Sequence, residues 1–157
     1  MSDNLIIIID EILKQQELCK LIHYNEKFPF EQPNLTLPAN HLIRTDEKVL
    51  PYMFDEKAVL EEQSQLRVYY PEFQFVNGQV VENTLIHFDI ICAKTLWLIN
   101  VGGKGKIRPY EMIKYLVSHL YDRSIGTVGK LRFIGGQQLT VNEKFASIRV
   151  FADMMTL

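Results

Sequence analysis

The run Asn100-Val101-Gly102-Gly103-Lys104-Gly105-Lys106-Ile107 is where this sequence comes nearest to a reactive motif. Backbone amides in a glycine loop, followed by a helix N-terminus, favour an anion, and a strand before the loop completes the context of a phosphate site. The spacing departs from it. A Walker A motif requires glycine where Asn100 stands and Ser or Thr where Ile107 stands, and without that hydroxyl a magnesium ion loses a ligand. Nucleotide binding is therefore not expected. The segment reads as a flexible basic loop, a solvated turn from which Lys104, Lys106 and Arg108 could contact an acidic partner or a DNA backbone.

The other chemistry-bearing side chains are scattered. His23, His41, His87 and His119 fall in different elements with no HExxH or His-x-His pair, so a zinc site would need long-range convergence. His87 and Asp89 share one strand face, a geometry usable for metal or acid-base work, although a satisfied polar pair is the commoner reason for it. Asp89 is placed to open a nuclease carboxylate cluster, but no Glu-x-Lys follows, and Glu143-Lys144 is wrongly spaced. Ser64, Ser118, Ser124 and Ser147 lack a nucleophile elbow. Cys19 and Cys92 have apolar neighbours and no CxxC spacing, which fits core thiols in a reducing compartment. The expectation is a protein without catalytic residues, metal or cofactor, with a small metal-dependent nuclease using His87 and Asp89 as the enzymatic alternative.

The elements that must position these residues follow from composition and periodicity. With 157 residues, 47% hydrophobic and 23% charged, the chain can bury one core without staples, so residues 1–157 are read as a single domain. A net charge of −2 with acids and bases interleaved provides no global basic field for non-specific nucleic-acid binding. The apolar run Leu5 to Ile9 is too short to span a bilayer, and it is flanked by Asp3, Asp10 and Glu11 where a secretory signal carries bases. A soluble protein made in the cytoplasm, with no membrane partner, is expected.

Asp3 or Asn4 can cap a helix running to about Tyr24, with Leu5, Ile8, Ile9, Ile12, Cys19 and Ile22 on one stripe. Ile6 and Ile7 fall beside that stripe, which suits burial against another subunit. Residues 25–65 contain Pro29, Pro33, Pro38 and Pro51 and many aromatic and apolar residues, among them Phe28, Phe30, Tyr52 and Phe54. That is too apolar for a free linker and reads as an ordered extension packed on the domain or a neighbour, with a short helix over 55–62. Asn77-Gly78 and Gly135-Gly136 each read as a two-residue hairpin turn, where positive φ selects Asn or Gly. A strand over 85–98 puts Ile86, Phe88, Ile90 and Cys92 on one face and His87, Asp89 and Ile91 on the other. Pro109 opens a helix with Tyr110, Ile113, Leu116, Val117 and Leu120 on its buried stripe. The last strand, from Phe145 on, has Ala146, Ile148, Val150, Ala152 and Met154 on one face. Its other face mixes Phe151 and Met155 with Arg149 and Asp153, which suits a subunit interface. The fold class is α+β: a mostly antiparallel sheet built from two hairpins and packed by an N-terminal and a central helix, in the order α-ββ-α-ββ.

That element order, with the Ile107-Arg108-Pro109-Tyr110-Glu111 helix start and the Val141-Asn142-Glu143-Lys144-Phe145 run, resembles the tail-terminator and tail-completion proteins at the neck of tailed bacteriophages. The resemblance covers most of the chain from Asp3 onward. It implies a structural virion protein and not an enzyme: a homo-hexameric ring that caps the tail tube, meets the tube and connector proteins, and lets DNA pass through its lumen. A head-tail adaptor or another tail component is the alternative within the same class. A ring closed by rotation is a head-to-tail contact and needs two different complementary surfaces on each subunit. The apolar residues of this chain offer candidates for both: Ile6, Ile7, Phe28, Phe30, Tyr52 and Phe54 on one side, and Phe151 and Met155 on the other.

Overall fold

The isoleucine-rich start of the chain is helical from Ser2, but the helix ends at Ile12 and does not run on to Tyr24. In the computed structural model, residues 2–57, 61–81, 85–125 and 129–155 are described, without the side chains of Val80, Val81 and Met155. Helix α1 (Ser2–Ile12) buries Ile8, Ile9 and Ile12. Each gains about 1.5–3 kcal/mol on burial, against a β-branched propensity deficit below about 0.7 kcal/mol per residue, so burial decides the conformation. The amides of Lys14 and Gln15 then reach back to the carbonyls of Glu11 and Ile12, tightening the last turn. Gln15 is extended, and its side-chain oxygen accepts from the Leu18 amide at 2.8 Å, capping α2 (Gln16–His23). The restart turns Leu18, Cys19, Leu21 and Ile22 into the core. Cys19 and Cys92 are both buried and free, and burial pushes the Cys19 thiol up to about 12.

The described parts of the extension are ordered against these helices. They contain a 3-10 turn at Pro29–Glu31, helix α3 (His41–Arg44) and the two-residue strand β1 (Val49–Leu50). The Gln16 amide group both donates to the Leu35 carbonyl (3.0 Å) and accepts from the Leu35 amide (2.9 Å), and Lys20 Nζ donates to the Gln32 carbonyl (2.8 Å). The short helix expected over 55–62 falls partly on residues 58–60, outside the described residues.

Strand β2 (Ser64–Tyr69) is followed by a hairpin of β3 (Gln74–Val76) and β4 (Gln79–Val81), whose turn has φ 50° at Asn77 and 74° at Gly78, as the sequence predicts. This hairpin is a two-stranded sheet of its own, separate from the main one. The long strand expected over 85–98 ends early: β5 (Leu85–Ala93) passes through a 3-10 turn at Lys94–Leu96 into β6 (Leu98–Val101). The flexible basic loop is instead a second tight hairpin, β6 with β7 (Lys104–Ile107), closed by Gly102 and Gly103 at φ 59° and 81°. Helix α4 (Arg108–Leu120), β8 (Ser124–Ile125), β9 (Gly129–Thr140) and β10 (Phe145–Met155) complete the chain.

The main sheet has six strands among the described residues, in the order β1-β2-β5-β10-β9-β8, and is antiparallel except for the short β1–β2 pair. The fold is thus α+β. Leu66, Val68, Ile86, Phe88, Ile90, Val150 and Ala152 line the sheet face that packs on α1, α2 and α4, together with Met112, Leu116 and Leu120. Among the described residues no helix is long and apolar enough to cross a membrane.

Gly135-Gly136 is not a turn. Both glycines lie inside β9, beside a register shift in which Gly135 faces Phe151 and Phe133 faces Ala152, leaving Ile134 as the extra residue of a bulge. A Cβ on Gly136 would sit 2.8 Å from the Arg149 carbonyl oxygen, so glycine here serves a close backbone approach. The actual turn lies after Thr140, where Asn142 Oδ1 accepts from the amides of Lys144 (2.9 Å) and Phe145 (2.8 Å).

Arg108 stands apart from the lysines it follows. Its side chain is fully buried, and its guanidinium donates to the carbonyls of Leu96 (Nε, 2.9 Å), Leu21 and Tyr24 (Nη1, 2.7 and 2.9 Å) and Glu26 (Nη2, 2.6 Å). The expectation that it meets an anionic partner is therefore corrected: it donates inside the protein, to the open C-terminal end of α2, the loop beyond it and the 3-10 turn after β5. Replacing Arg108 with Leu strands several buried acceptors at about 1–3 kcal/mol each, so a loss of roughly 3–5 kcal/mol in urea unfolding is expected. Arg108→Lys should recover only part of it, because an ammonium lacks the planar fork. A loss within about 0.5 kcal/mol, the range of an ordinary surface change, would refute the role.

Candidate functional site on the open face of the sheet

The sheet face turned away from the helices carries a row of polar side chains that cross-strand register brings together. Arg67 of β2 and Arg149 of β10 both stand opposite Asp89 of the central strand β5, while Tyr69 and Phe151 both stand opposite His87. Arg149 grips the Asp89 carboxylate with two donors, Nε to Oδ1 at 2.8 Å and Nη2 to Oδ2 at 3.1 Å, and also donates to the Tyr69 oxygen at 3.0 Å. The Tyr69 hydroxyl donates to Asp89 Oδ2 at 2.5 Å. Such bidentate, charge-assisted pairing is strong and directional. Burial and the neighbouring carboxylate push the Tyr69 phenol far up, so it remains a donor at any ordinary pH.

One end of this face is roofed by the extension. Arg67 donates to Gln65 Oε1 through Nε and Nη2 (2.9 and 2.6 Å), and its guanidinium lies over the rings of Tyr52 and Phe54, 5.1 and 5.4 Å from their centroids. Phe54 also packs on Phe145, in a small cluster with Ile91 and Ala93. A cavity of about 160 Å³ remains between the roof and the sheet, bordered by Asp89, Ser147 and Arg149. His87 is wedged between the rings of Tyr69 and Phe151, with its Nδ1 buried and unpartnered among the described residues. Burial and the Arg149 charge hold its pKa below the usual imidazole range, with Asp89 opposing.

The candidate interface residues differ in how far they are exposed. Ile6, Phe28 and Tyr52 are exposed, Ile7 is half-buried, and Phe151 is half-buried against His87. Phe30 and Phe54 are half-buried, and each also packs within the chain, Phe30 edge-on against Tyr115 and Phe54 against Phe145. The side chain of Met155 lies outside the described residues. Lys104 and Lys106 are exposed on β7.

Three features escaped the sequence. The hairpin β3–β4 exposes Phe73, Phe75 and Val76, with Phe75 68% accessible. A groove of about 570 Å³ runs between α4 and β9, lined by Tyr110, Ile113, Val117, Phe133, Ile134 and Ile148 among others. His23 and His41, which sequence reasoning kept apart, meet around Asp46. The exposed Phe73 and Phe75 did carry a signal, since both closely precede an Asn-Gly turn, Phe75 on β3 and Phe73 just before it. The other two features depend on register and on the path of the extension, which leave no local trace.

The wedged imidazole has a consequence for stability. His87 takes up a proton less readily in the folded state than in the unfolded chain, where it does so near 6.5, so its contribution is complete above that pH and is lost as pH falls below it. Urea midpoints at pH 7.5 and 5 should therefore differ more for the wild type than for His87→Phe. Equal differences would exclude the effect.

Among curated proteins none matches the chain. A family model does match: residues 15–154 align with the YomW family, from the cap of α2 almost to the end of β10. The family takes its name from a protein of the SPbeta phage region of Bacillus. With nearly all of the main sheet inside the match, the chain belongs to the YomW family and is a phage-related protein.

Proposed function

We propose that the chain is a structural virion protein of the phage neck, a subunit of a ring that caps the tail tube and joins it to the head connector. The observation that carries this reading is a pair of unlike, unpartnered surfaces. One is the hairpin β3–β4, which among the described residues pairs with no other strand, together with the exposed Phe75 on it and Phe73 just before it. The other is the apolar groove between α4 and β9, beside a stretch of β9 beyond Leu131 that has β10 on one side and no strand on the other among the described residues. A knob and a groove on different elements are what a head-to-tail contact uses, and repeated by rotation they close a ring.

Magnitudes favour using both features. Two phenylalanines bury about 150–250 Å² each, while a stable interface buries about 1,200–2,000 Å² in total, so the hairpin needs the groove and strand pairing along the β9 edge to hold. The near-neutral charge balance suits a lumen through which DNA slides without sticking. Lys104 and Lys106 are exposed on β7, where they can meet an acidic neighbour. A head-tail adaptor would use the same surfaces. A nuclease acting through His87 and Asp89 is disfavoured, because both Asp89 oxygens are engaged by Arg149 and Tyr69.

Light scattering and negative-stain microscopy test the proposal. A ring-sized mass is expected, alone or with the tail-tube protein of the same phage, and Phe73→Ser combined with Phe75→Ser should abolish it while leaving the circular dichroism unchanged. A chain that stays monomeric at high concentration and in the presence of the tube protein would overturn the reading.

A further inference from the structure

His23 closes α2, His41 opens α3, and Asp46 follows α3 by two residues. The loop between His41 and Asp46 is folded back on itself: the Asp46 amide donates to the His41 carbonyl at 2.8 Å and the Lys48 amide to the Leu42 carbonyl at 2.8 Å. This brings one carboxylate oxygen between two imidazoles. Asp46 Oδ2 lies 2.9 Å from His41 Nδ1 and 3.6 Å from His23 Nδ1, and the three potential ligand atoms all fall within 4.8 Å of one another. The two rings stand edge to face, 5.0 Å apart and at 76°.

We propose that His23, His41 and Asp46 form a binding site for a zinc-like divalent transition metal. Two imidazole nitrogens and one carboxylate oxygen are a donor set that zinc accepts, with bonds of about 2.0–2.2 Å. Tetrahedral bonds of that length separate neighbouring ligand atoms by about 3.3 Å, so the carboxylate is already at the required distance from each nitrogen to within a few tenths of an ångström. Closing the third edge takes no more than about 1.5 Å of side-chain movement, given the spread above. His23 Nδ1 is a buried nitrogen with no hydrogen-bond partner among the described residues, and a metal ion would satisfy it.

The surroundings supply room and charge. His23 and Asp46 border a cavity of about 350 Å³ that Glu61 and Glu62 also line, and these offer an oxygen for the remaining position. Glu62 is at present the acceptor of a bond from Thr95 Oγ1 at 2.8 Å. Lys48 borders the same cavity and opposes a cation, but its ammonium is drawn back to the carbonyls of His23 (3.1 Å) and Ile22 (3.5 Å). A bound ion would clamp the end of α2 to α3 and so fix the extension to the helix layer. This inference does not depend on ring assembly.

The test is titration of the metal-free full chain with zinc chloride by calorimetry, paired with cobalt(II) absorption to report the ligand geometry. One ion per chain and a tetrahedral cobalt band are expected. His23→Ala and His41→Ala should each weaken zinc binding by about tenfold or more, since even the loss of groups behind a metal ligand costs about 10–100-fold. His119→Gln, on α4, should leave it unchanged. Zinc should also raise the urea midpoint of the wild type and leave that of the double variant, His23→Ala combined with His41→Ala, unmoved, which separates lost binding from lost folding. Absence of stoichiometric zinc binding, or equal binding by the double variant, would overturn the proposal.

Discussion

A fully buried guanidinium at the first residue of α4 is the constraint on which the arrangement of this protein turns. Arg108 is tied to four backbone carbonyls, three of them from the end of α2 and the loop after it and one from the 3-10 turn after β5. Those acceptors are the ones that a helix end and an irregular connection leave open, and burying them without donors would be costly. One side chain with five donors in a fixed fork answers most of that cost at a single point. It fixes α2 against α4, and through the Leu96 carbonyl it fixes both to the strand that carries His87 and Asp89. The network on the open sheet face and the helix layer behind it are therefore held in one frame.

The parts of the fold legible in the sequence are those where one residue type has one local use. Asn77-Gly78 closes a hairpin because both positions need positive φ, and alternation along β5 and β10 sorts their faces correctly, including the mixed face of Arg149, Phe151 and Asp153. The Gly135-Gly136 pair misled because glycine answers two demands. A turn wants its freedom in φ, a bulged strand wants its missing Cβ, and only the position of the Arg149 carbonyl distinguishes them. Gly102-Gly103 is the converse, a true turn hidden in a run that suggested a phosphate loop.

The candidate site was less legible for a different reason. Asp89 reads as a polar residue on a sheet face, but its partners come from strands that are distant in sequence, and a shift of one residue in register would have paired it otherwise. Arg108 could not be distinguished from Lys104 and Lys106 by composition or spacing. What separates them is that α4 begins at Arg108, so the chain turns inward there while the lysines remain on a two-stranded ribbon. His23 and His41 likewise meet only because the extension doubles back over α2.

The hairpin β3–β4 interrupts two strands that already pair directly, Tyr69 opposite His87 and Arg67 opposite Asp89. The excursion is thus closed at its base by the main sheet, whatever its tip contains. Lengthening a loop whose ends are already held together costs little, because closure entropy rises only with the logarithm of length. Its tip can therefore change in length and composition between relatives without disturbing the core. Changes in this ribbon should leave Arg108 and its carbonyls undisturbed, so the frame of the fold and its protruding finger can vary independently of each other.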